Sequence, residues 1–259
     1  MKQSVQTLQQ FAIESAYKVG DIHLKYFRKD NQNAEIKSNI SDLVTRADKE
    51  SEAYLIEQIT YNFPDHNILG EESGNHEGKH KSGYRWVIDP LDGTNNYNQG
   101  LPVFAVSIGL QYENTTIMGV VYAPYLKELF TVIKGEGSFL NGERLKVSEK
   151  TELNECVLGT GFPYDKGTNP INNISNVAAI LPHLRGIRRM GAAAYDLCST
   201  AAGYLDAYWE LDLKPWDMCA GALIVEEAGG EIFHFRNDRN ISIIAGNHNL
   251  IEKVRTFIK

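Results

Sequence analysis

Patterns typical of helices and of strands alternate along the whole 259-residue chain, and this alternation limits the folds open to it. Apolar residues fall at helical spacing over residues 5–22. A second helical pattern begins at Thr45, with Asp48 three residues on as a capping partner, and ends before Pro64. Strand patterns follow, and Asn141-Gly142 is a strong hairpin turn. This order predicts layered sheets covered by helices.

The alternation continues to the C-terminus. The predicted strands are residues 86–88, 104–111, 117–122, 128–133, 157–159, 207–211 and 241–245, and the later predicted helices are residues 174–181, 192–202, 219–228 and 250–258. No repeat or linker-like tract interrupts them. We therefore expect an N-terminal half (residues 1–150) and a C-terminal half (residues 151–259) that pack tightly as one structural unit.

Charge and hydropathy exclude several classes of function. The net charge is −7, and no basic cluster is dense enough to follow a nucleic-acid backbone. No apolar run is long enough to span a membrane, and the polar N-terminus lacks a secretion signal, so we expect a cytoplasmic protein. The scattered Cys156, Cys198 and Cys219 form no disulfide framework, and the last two are expected to be buried, inert thiols.

The stretch WVIDPLDGTNNYNQG (residues 86–100) places two carboxylates at the end of a strand. With Pro90 fixing the backbone, Asp89, Asp92 and the Leu91 carbonyl can face one point, and oxygen ligands of this kind suit Mg²⁺. Gly93-Thr94 permits close backbone approach and begins a helix, which Thr94 is expected to cap and whose free amides suit phosphate. An Asp-Pro turn without function explains the same residues.

Two further acidic stretches favour the metal site. LGEESG (residues 69–74) places Glu71 after a strand pattern, where the alternative is a solvated acidic turn. KPWDMCAGALIVEEAGG (residues 214–230) places Asp217 just ahead of a buried helix, where the alternative is an N-cap. Each alternative explains its own stretch, but three such junctions in a chain without Ser-His or Cys-His pairing favour a site built from carboxylates.

Three other sequence patterns are weaker evidence for a functional site. HEGKH (residues 76–80) matches the zinc-protease motif, but its glycine-rich surroundings predict a polar, mobile loop rather than the helix that the motif requires. GEGSFLNG (residues 135–142) lacks the third glycine of a dinucleotide fingerprint and predicts a hairpin. The basic stretch LRGIRRMG, which contains Arg185, Arg188 and Arg189, is either a solvated surface or a contact for an anion.

Taken together, four stretches resemble the inositol monophosphatase family of metal-dependent, lithium-sensitive phosphatases, in a superfamily that includes fructose-1,6-bisphosphatase. They are DLVTRAD (residues 42–48), GEES (residues 70–73), WVIDPLDGTNNY (residues 86–97) and WDMCAGALIVEEAGG (residues 216–230). The resemblance covers nearly the whole chain. It implies an αβαβα sandwich of two mixed sheets that helices flank and separate.

The resemblance also implies a role for each matching residue. Glu71, Asp89 and the Leu91 carbonyl would hold one Mg²⁺, and Asp89, Asp92 and Asp217 a second, with a weaker third ion near Glu71. Thr94, paired with Asp48, would activate the attacking water together with Glu71. The amides of Gly93 and Thr94 would hold the phosphate. The residues that match the alcohol pocket are Asp92, Gly191, Ala192, Ala193 and Glu210.

The implied activity is hydrolysis of a small polyol phosphate such as myo-inositol 1-phosphate. NADP 2'-phosphate and fructose 1,6-bisphosphate are alternatives, which the three arginines of residues 184–191 would favour by meeting a second anionic group. Gln99, Ala192 and Asp212 depart from the family pattern and leave the substrate open. The resemblance further implies a homodimer, and an interaction role with transcription machinery is a different class of function that stays open.

Overall fold

The computed structural model describes residues 4–29, 35–36 and 43–259. Asp42, the first residue of the DLVTRAD stretch, lies outside the described residues. Within them the α-helices are α1 (Val5–Tyr26), α2 (Arg46–Asn62), α3 (Thr94–Asn98), α4 (Ile174–Ile180), α5 (Ala193–Ala201), α6 (Pro215–Glu227) and α7 (His248–Val254). None of these helices is both long and apolar enough to cross a lipid bilayer.

The strands fall into three sheets. In chain order, the strands before the last one are β1 (Glu35–Ile36), β2 (Leu43–Val44), β3 (Asn67–Gly70), β4 (Gly74–His76), β5 (Tyr84–Asp92), β6 (Ala105–Tyr112), β7 (Thr115–Ala123), β8 (Glu128–Ile133), β9 (Gly137–Leu140), β10 (Glu143–Arg144), β11 (Val157–Thr160), β12 (Gly186–Arg188), β13 (Ala207–Leu213) and β14 (Glu231–Arg236). The last strand is β15 (Ile241–Gly246). β1 and β2 form a small sheet of their own.

Both large sheets are mixed. The eight-stranded sheet has the order β10-β9-β8-β7-β6-β5-β3-β4, and only its β3–β5 pair is parallel. The five-stranded sheet has the order β12-β11-β13-β15-β14, in which β11 runs parallel to both of its neighbours. The eight-stranded sheet therefore comes from the first part of the chain and the five-stranded sheet from the second.

Helices cover the outer faces of the sheets and fill the space between them. α1 and α2 pack on the eight-stranded sheet, α5 and α6 lie between the two sheets, and α7 packs on the far face of the five-stranded sheet. The largest apolar core lies in the middle layer, where Leu223 and Ile224 of α6 meet Val121 and Phe130 of the first sheet. The predicted αβαβα sandwich of two mixed sheets is confirmed.

Several predicted details are also confirmed. Thr45 caps α2 in a capping box with Asp48. Residues 135–142 form a hairpin, in which β9 and β10 pair across Asn141-Gly142. Cys156, Cys198 and Cys219 are all buried free thiols.

Other details of the prediction were wrong. Gly74–His76 of the glycine-rich stretch forms strand β4 beside β3, because a turn at residues 71–73 folds the chain back into the sheet. β12 and β14 were missed, since both are short or rich in charged residues. α6 begins at Pro215, so Asp217 is its third residue rather than a residue ahead of it. Gly93 caps α3 and Thr94 is its first residue, whereas Thr94 was expected to be the cap.

Candidate active site

A β-bulge at the end of β5 brings two carboxylates to the same side of the sheet. Side chains alternate between faces along a regular strand, so residues three apart normally point in opposite directions. In β5, however, Asp89 pairs with Ser107 and Asp92 with Ala105, so three steps on β5 match two on β6. The extra residue of a bulge absorbs this difference. Pro90, which has no amide to donate, sits where the ladder is already interrupted.

Hydrogen bonds hold the bulge in shape. The Leu91 amide donates to Asp89 Oδ1 at 3.0 Å, and the Leu91 carbonyl accepts from the Thr94 hydroxyl at 3.0 Å. The Pro90 carbonyl accepts from His23 Nε2 at 2.8 Å, which fixes the tautomer of this buried histidine. The Leu91 side chain packs among aromatic residues that include Phe27 and Tyr97. The backbone between the two carboxylates is thus tied down on both sides.

The chain leaves the bulge through Gly93, which has a left-handed conformation with φ of 88°. A Cβ atom there would lie 2.9 Å from the Val103 carbonyl oxygen and 3.1 Å from Ala192 Cβ. Glycine satisfies both demands, since it adopts positive φ freely and has no side chain to collide. The C-terminal half of the chain consequently approaches the backbone of residues 93–94 very closely.

Thr94 and Asp48 form the predicted pair. The Thr94 hydroxyl lies 3.0 Å from Asp48 Oδ1, while Asp48 Oδ2 accepts the Thr45 amide at 2.8 Å as part of the α2 cap. Asp48 is therefore both a capping residue and the partner of Thr94. Burial, with a smaller contribution from the negative charge of Glu71, raises the pKa of Asp48 to about 6 against the lowering effect of its hydrogen bonds.

Glu71 follows β3 directly, and its carboxylate meets that of Asp89. The Glu71 amide donates to the Ile88 carbonyl at 3.3 Å, so β5 holds its backbone in register. Its side chain is hydrogen-bonded to Asp89. Burial, followed by the negative charges of Glu71, Asp92 and Asp217, raises the pKa of Asp89. Residues far apart in sequence thus supply one acidic cluster, which is built from Glu71, Asp89, Asp92 and Asp217.

Asp92 joins the two halves of the molecule. Its Oδ2 accepts the Tyr195 amide at 3.1 Å, and the Ala193 amide also donates to this carboxylate. A carboxylate from β5 thus satisfies free amides at the start of α5, which has no capping side chain of its own. Burial and the negative charges of Glu210 and Glu71 outweigh these bonds and raise the pKa of Asp92 to about 7.

Asp217 approaches the cluster from the first turn of α6. Its Oδ2 accepts the Lys214 amide at 2.7 Å, which satisfies one free amide of that helix. Burial, opposed by this hydrogen bond, raises the pKa of Asp217, and the charges of Glu71, Asp92 and Glu210 raise it further. The capping alternative is therefore correct that Asp217 accepts an amide at the start of the helix. Asp217 is, however, the third residue of α6, and Lys214 is the N-cap. Asp217 also faces the other carboxylates.

Three carboxylates of the cluster, Glu71, Asp92 and Asp217, line a cavity of about 420 Å³. The predicted site residues that line this cavity are Glu71, Asp92, Gly93, Thr94, Gly191, Ala192, Ala193, Glu210 and Asp217. Asp48, Asp89 and Leu91 do not line it, but Asp48 is hydrogen-bonded to Thr94, which does. The sites predicted for the metal ligands and for the alcohol pocket therefore share one cavity.

Acidic, basic and aromatic groups outside the cluster also line the cavity. Glu210 on β13 accepts a hydrogen bond from the Tyr208 hydroxyl, and the positive charge of Arg189 also favours its ionised form. Burial is the larger influence, and it raises the pKa of Glu210. Phe162 and Tyr164 line the same cavity. Of the three arginines in residues 184–191, only Arg189 lines the cavity.

The acidic cluster has the donor chemistry of a site for divalent cations. In the described part of the chain, no three His, Cys, Asp or Glu side chains form a ready-made coordination sphere. Buried carboxylates repel one another and favour protonation when no cation shares their site. Mg²⁺ binds through a few carboxylate oxygens, water and substrate phosphate, so the residues present fit it and a bound ion would draw them together.

Sequence patterns missed several residues that shape this site. His23 supports the bulge, and Glu52 accepts two amides of the turn after Glu71. Arg239 donates to Asp165 at 2.7 Å and to Asp212 at 2.9 Å, which joins two segments of the cavity wall. Each partner is distant in sequence, so periodicity gives no sign of these contacts. The one available signal was the spacing of Glu52, four residues after Asp48 on one helical face.

The HEGKH stretch does not form a zinc site. His76 is the last residue of β4, and residues 77–83 contain no helix, so the two histidines do not share a helical face. The His76 ring instead lies 2.7 Å from the Ser73 hydroxyl, within the turn region next to Glu71.

Comparisons with known proteins agree with this geometry. The sequence model described as the inositol monophosphatase family matches residues 4–257. The chain is 41% identical over 252 residues to the Nus factor SuhB of Haemophilus influenzae, covering 96% of this chain and 94% of that protein.

Two solved structures show the same architecture. The extragenic suppressor protein SuhB of Bartonella henselae has a TM-score of 0.90 at 35% identity, over 98% of both chains. The inositol monophosphatase of Anabaena (Nostoc) sp. PCC 7120 has a TM-score of 0.85 at 36% identity, over 98% of this chain and 96% of that one.

Proposed function

The chain belongs to the inositol monophosphatase family, and on that premise we propose that it is a Mg²⁺-dependent phosphomonoesterase acting on a small polyol phosphate such as myo-inositol 1-phosphate. The family and its solved structures support phosphatase chemistry. The observation that carries the proposal is that carboxylates of the acidic cluster line a cavity together with Thr94, whose hydroxyl is hydrogen-bonded to Asp48. The cluster provides cation ligands, and the cavity provides room for the ester.

We assign the metal ligands as the family pattern implies. Glu71, Asp89 and the Leu91 carbonyl would hold one Mg²⁺, Asp89, Asp92 and Asp217 a second, and a weaker third would rely on Glu71. Bound Mg²⁺ supplies charge neutralisation of the phosphate, a lower pKa for a bound water, and stabilisation of the leaving oxygen. The Leu91 carbonyl also accepts from Thr94, and its second lone pair leaves it able to bind a cation.

The protein's own groups then orient the nucleophile. Asp48 accepts from the Thr94 hydroxyl, which fixes the direction of its remaining lone pairs. Thr94 and Glu71 both line the cavity, and together they would orient the attacking water and accept its proton. We therefore propose Glu71, Thr94 and Asp48 as the catalytic groups, with Asp48 acting through Thr94.

We propose separate contacts for the phosphate and for the alcohol part of the substrate. The amides of Gly93 and Thr94 would hold the phosphate, since the absence of a side chain at Gly93 leaves the backbone open to close approach. Asp92, Glu210 and the backbone of residues 191–193 would contact the hydroxyl groups of the alcohol. Carboxylates that accept hydrogen bonds are suited to a polyol.

Phosphate release by the purified protein tests this function. The substrates are myo-inositol 1-phosphate, NADP and fructose 1,6-bisphosphate, each with and without Mg²⁺, and Asp89→Asn serves as the control. We expect Mg²⁺-dependent release that is fastest for the inositol ester and lost in the variant. Release that does not depend on Mg²⁺, or that survives in Asp89→Asn, would contradict the mechanism.

NADP 2'-phosphate and fructose 1,6-bisphosphate remain alternative substrates for the same chemistry. Arg189 favours them, because its guanidinium lines the cavity and suits a second anionic group. Arg185 and Arg188 do not line the cavity, which weakens the case made from the arginine cluster. If NADP is turned over faster than the inositol ester, and Arg189→Met removes that preference, the larger substrate is the right one.

A second candidate is an interaction role with transcription machinery. It is favoured by the name of the Haemophilus influenzae relative, a Nus factor, to which this chain is 41% identical. Affinity purification with the wild type and with Asp89→Asn separates the two functions. A transcription protein retained equally by both would support an interaction that does not require catalysis.

Three further properties are part of the proposal because the family pattern implies them. We expect a homodimer, a cytoplasmic location and inhibition by lithium, which would displace one Mg²⁺. Light scattering that gives the 29.1 kDa mass of a single chain would contradict the dimer. Phosphate release that is unaffected by lithium at roughly millimolar concentration, the scale of a weak oxygen-ligand site, would contradict lithium inhibition.

A further inference from the structure

The buried carboxylate of Glu52, in the second turn of α2, binds the backbone just after Glu71. Its Oε2 accepts the Glu72 amide at 2.9 Å, and its Oε1 accepts the Ser73 amide at 2.7 Å. The residue is 3% exposed. Hydrogen bonds from backbone amides to an ionised carboxylate are among the stronger kinds in proteins. Both oxygens of this side chain are thus committed to one turn.

The backbone just before Glu71 is shaped to accept the same carboxylate. A Cβ atom on Gly70 would lie 2.8 Å from Glu52 Oε2 and 2.9 Å from Glu52 Cδ. Only glycine leaves this space free, although the φ angle of Gly70 is one that any residue adopts. The carboxylate therefore fits against the turn from Gly70 to Ser73 at both its start and its end.

These contacts bracket Glu71. Its own amide donates to Ile88 on β5, and the next two amides donate to Glu52 on α2. The Glu71 carboxylate, held between them, is hydrogen-bonded to Asp89. The direction of the Glu71 side chain consequently depends on where Glu52 holds the turn.

The same face of α2 also carries Asp48, four residues before Glu52. Residues at this spacing lie one above the other on a helix. Asp48 binds the Thr94 hydroxyl, while Glu52 binds the turn that carries Glu71. A single rigid element thus sets the separation between two groups that the proposed reaction requires together.

We infer that Glu52 is a positioning residue, which holds the turn after β3 so that Glu71 faces Asp89 and Thr94. The inference rests on the proposed function, since it assigns Glu52 a task for the metal ligand Glu71. A residue that only anchored the turn would contribute to stability alone. A positioning residue must also affect how well the acidic cluster binds a cation.

The variant Glu52→Gln tests the inference, with Glu57→Gln as the matched control on the exposed side of the same helix. Glutamine keeps the size of the side chain but is uncharged, and its NH₂ group replaces one of the two oxygens that each accept an amide, so the pair of charge-assisted bonds is lost. Three quantities are measured on metal-free protein. These are hydrogen exchange at the amides of residues 72 and 73, the Mg²⁺ dissociation constant by calorimetry, and the thermal unfolding midpoint.

We expect at least one of the two amides in Glu52→Gln to exchange about 10-fold faster or more. Its Mg²⁺ affinity should fall by roughly 10- to 100-fold, the usual effect of losing a group that orients a metal ligand. Glu57→Gln should match the wild type in both quantities. Gly70→Ala should reproduce the effects of Glu52→Gln, because its methyl group would displace the same carboxylate.

Two outcomes would overturn the inference. In the first, these amides exchange faster in Glu52→Gln than in the wild type, but the Mg²⁺ dissociation constant stays within twofold of the wild-type value. Glu52 would then only anchor the turn. In the second, Glu52→Gln matches the wild type in both amide exchange and Mg²⁺ affinity, which would mean that Glu52 does not hold the turn. A wild type that binds Mg²⁺ but releases no phosphate would instead contradict the proposed function, and the two failures are therefore distinguishable.

Discussion

The Thr94 hydroxyl has two acceptors, the Asp48 carboxylate and the Leu91 carbonyl, each at 3.0 Å. A hydroxyl has one proton, so it donates to one of them at a time, and its lone pairs stay available to accept a bond from a water in the cavity that Thr94 lines. Replacing Thr94 with valine keeps the shape and removes this function. We expect kcat for phosphate release to fall roughly 100-fold or more, with a smaller change in KM.

Steady-state kinetics of Thr94→Val and Thr94→Ser check this prediction. The serine variant keeps the hydroxyl and should retain most of the activity. Turnover of Thr94→Val within about threefold of the wild type would mean that the hydroxyl does not act on the water.

His23 makes the stability of the protein depend on pH. Its Nε2 donates to Pro90, its Nδ1 has no partner among the described residues, and burial lowers its pKa from 6.5 to about 4. Between about pH 4 and pH 6.5, His23 is protonated in the unfolded chain but neutral in the folded chain. The contribution of His23 to the free energy of unfolding therefore falls as the pH drops from 6.5 towards 4, by about 3 kcal/mol in total.

Urea unfolding of the wild type and of His23→Gln, from pH 4.5 to pH 7.5, measures this contribution. Glutamine can still donate to the Pro90 carbonyl but does not titrate. The difference in unfolding free energy between the two proteins should rise with pH and level off above about pH 6.5, the ordinary pKa of histidine. A difference that stays constant across this range would show that His23 does not titrate as inferred.

At the scale of elements, the position of α6 against the first sheet decides where Asp217 lies. A Cβ atom on Gly119 of β7 would be 2.8 Å from Ala220 Cα and 2.9 Å from Ala220 Cβ. Gly119→Ala would push the helix away from the sheet, because the nearest atom is backbone. We expect a loss of about 1–3 kcal/mol in unfolding free energy and a weaker affinity for Mg²⁺.

Urea unfolding and Mg²⁺ calorimetry of Gly119→Ala test this coupling. Gly167→Ala is the control, since a methyl group there would have no atom within 4 Å. A Gly119→Ala protein that loses stability but keeps wild-type Mg²⁺ affinity would show that Asp217 adjusts to the shift.

The spacing of apolar residues predicted the helices and strands that bury one regular face. The acidic motifs at the ends of these elements predicted the candidate site residues. α1 and β8 follow their apolar patterns closely. The pattern did not show that β5 continues through a bulge to Asp92, because a bulge breaks the alternation by which strands are recognised. Glu52 and His23 were missed because their partners lie 20 and 67 residues away. Such contacts exist only once the layers are assembled.

At the scale of the whole molecule, the acidic cluster sits where the two halves meet. The turn after β3 supplies Glu71, and β5 supplies Asp89 and Asp92. α6 supplies Asp217, and Asp92 also binds the start of α5. Asp89 and Asp92 are buried, and Glu71 and Asp217 are half-buried. Without a cation, carboxylates crowded in this way repel one another when they are ionised. Cation binding should therefore stabilise the assembly of the halves as well as the site.

We expect Mg²⁺ to raise the thermal unfolding midpoint of the wild type. At about 100 times the dissociation constant, the stabilisation is about 2.7 kcal/mol, which for a domain of this size corresponds to a rise of roughly 5–10 °C. Asp217→Asn should respond less to Mg²⁺, because it loses one ligand. It should also be at least as stable as the wild type in EDTA, because it removes one negative charge from a crowded cluster of carboxylates.

Differential scanning calorimetry at pH 8, in EDTA and in a series of Mg²⁺ concentrations, measures both effects. The order of the two midpoints should reverse between the metal-free and the Mg²⁺-loaded proteins. A variant that destabilised the fold for ordinary reasons would be less stable than the wild type under both conditions. That result would mean that Asp217 contributes to the fold mainly through its bond to the Lys214 amide rather than through a shared cation.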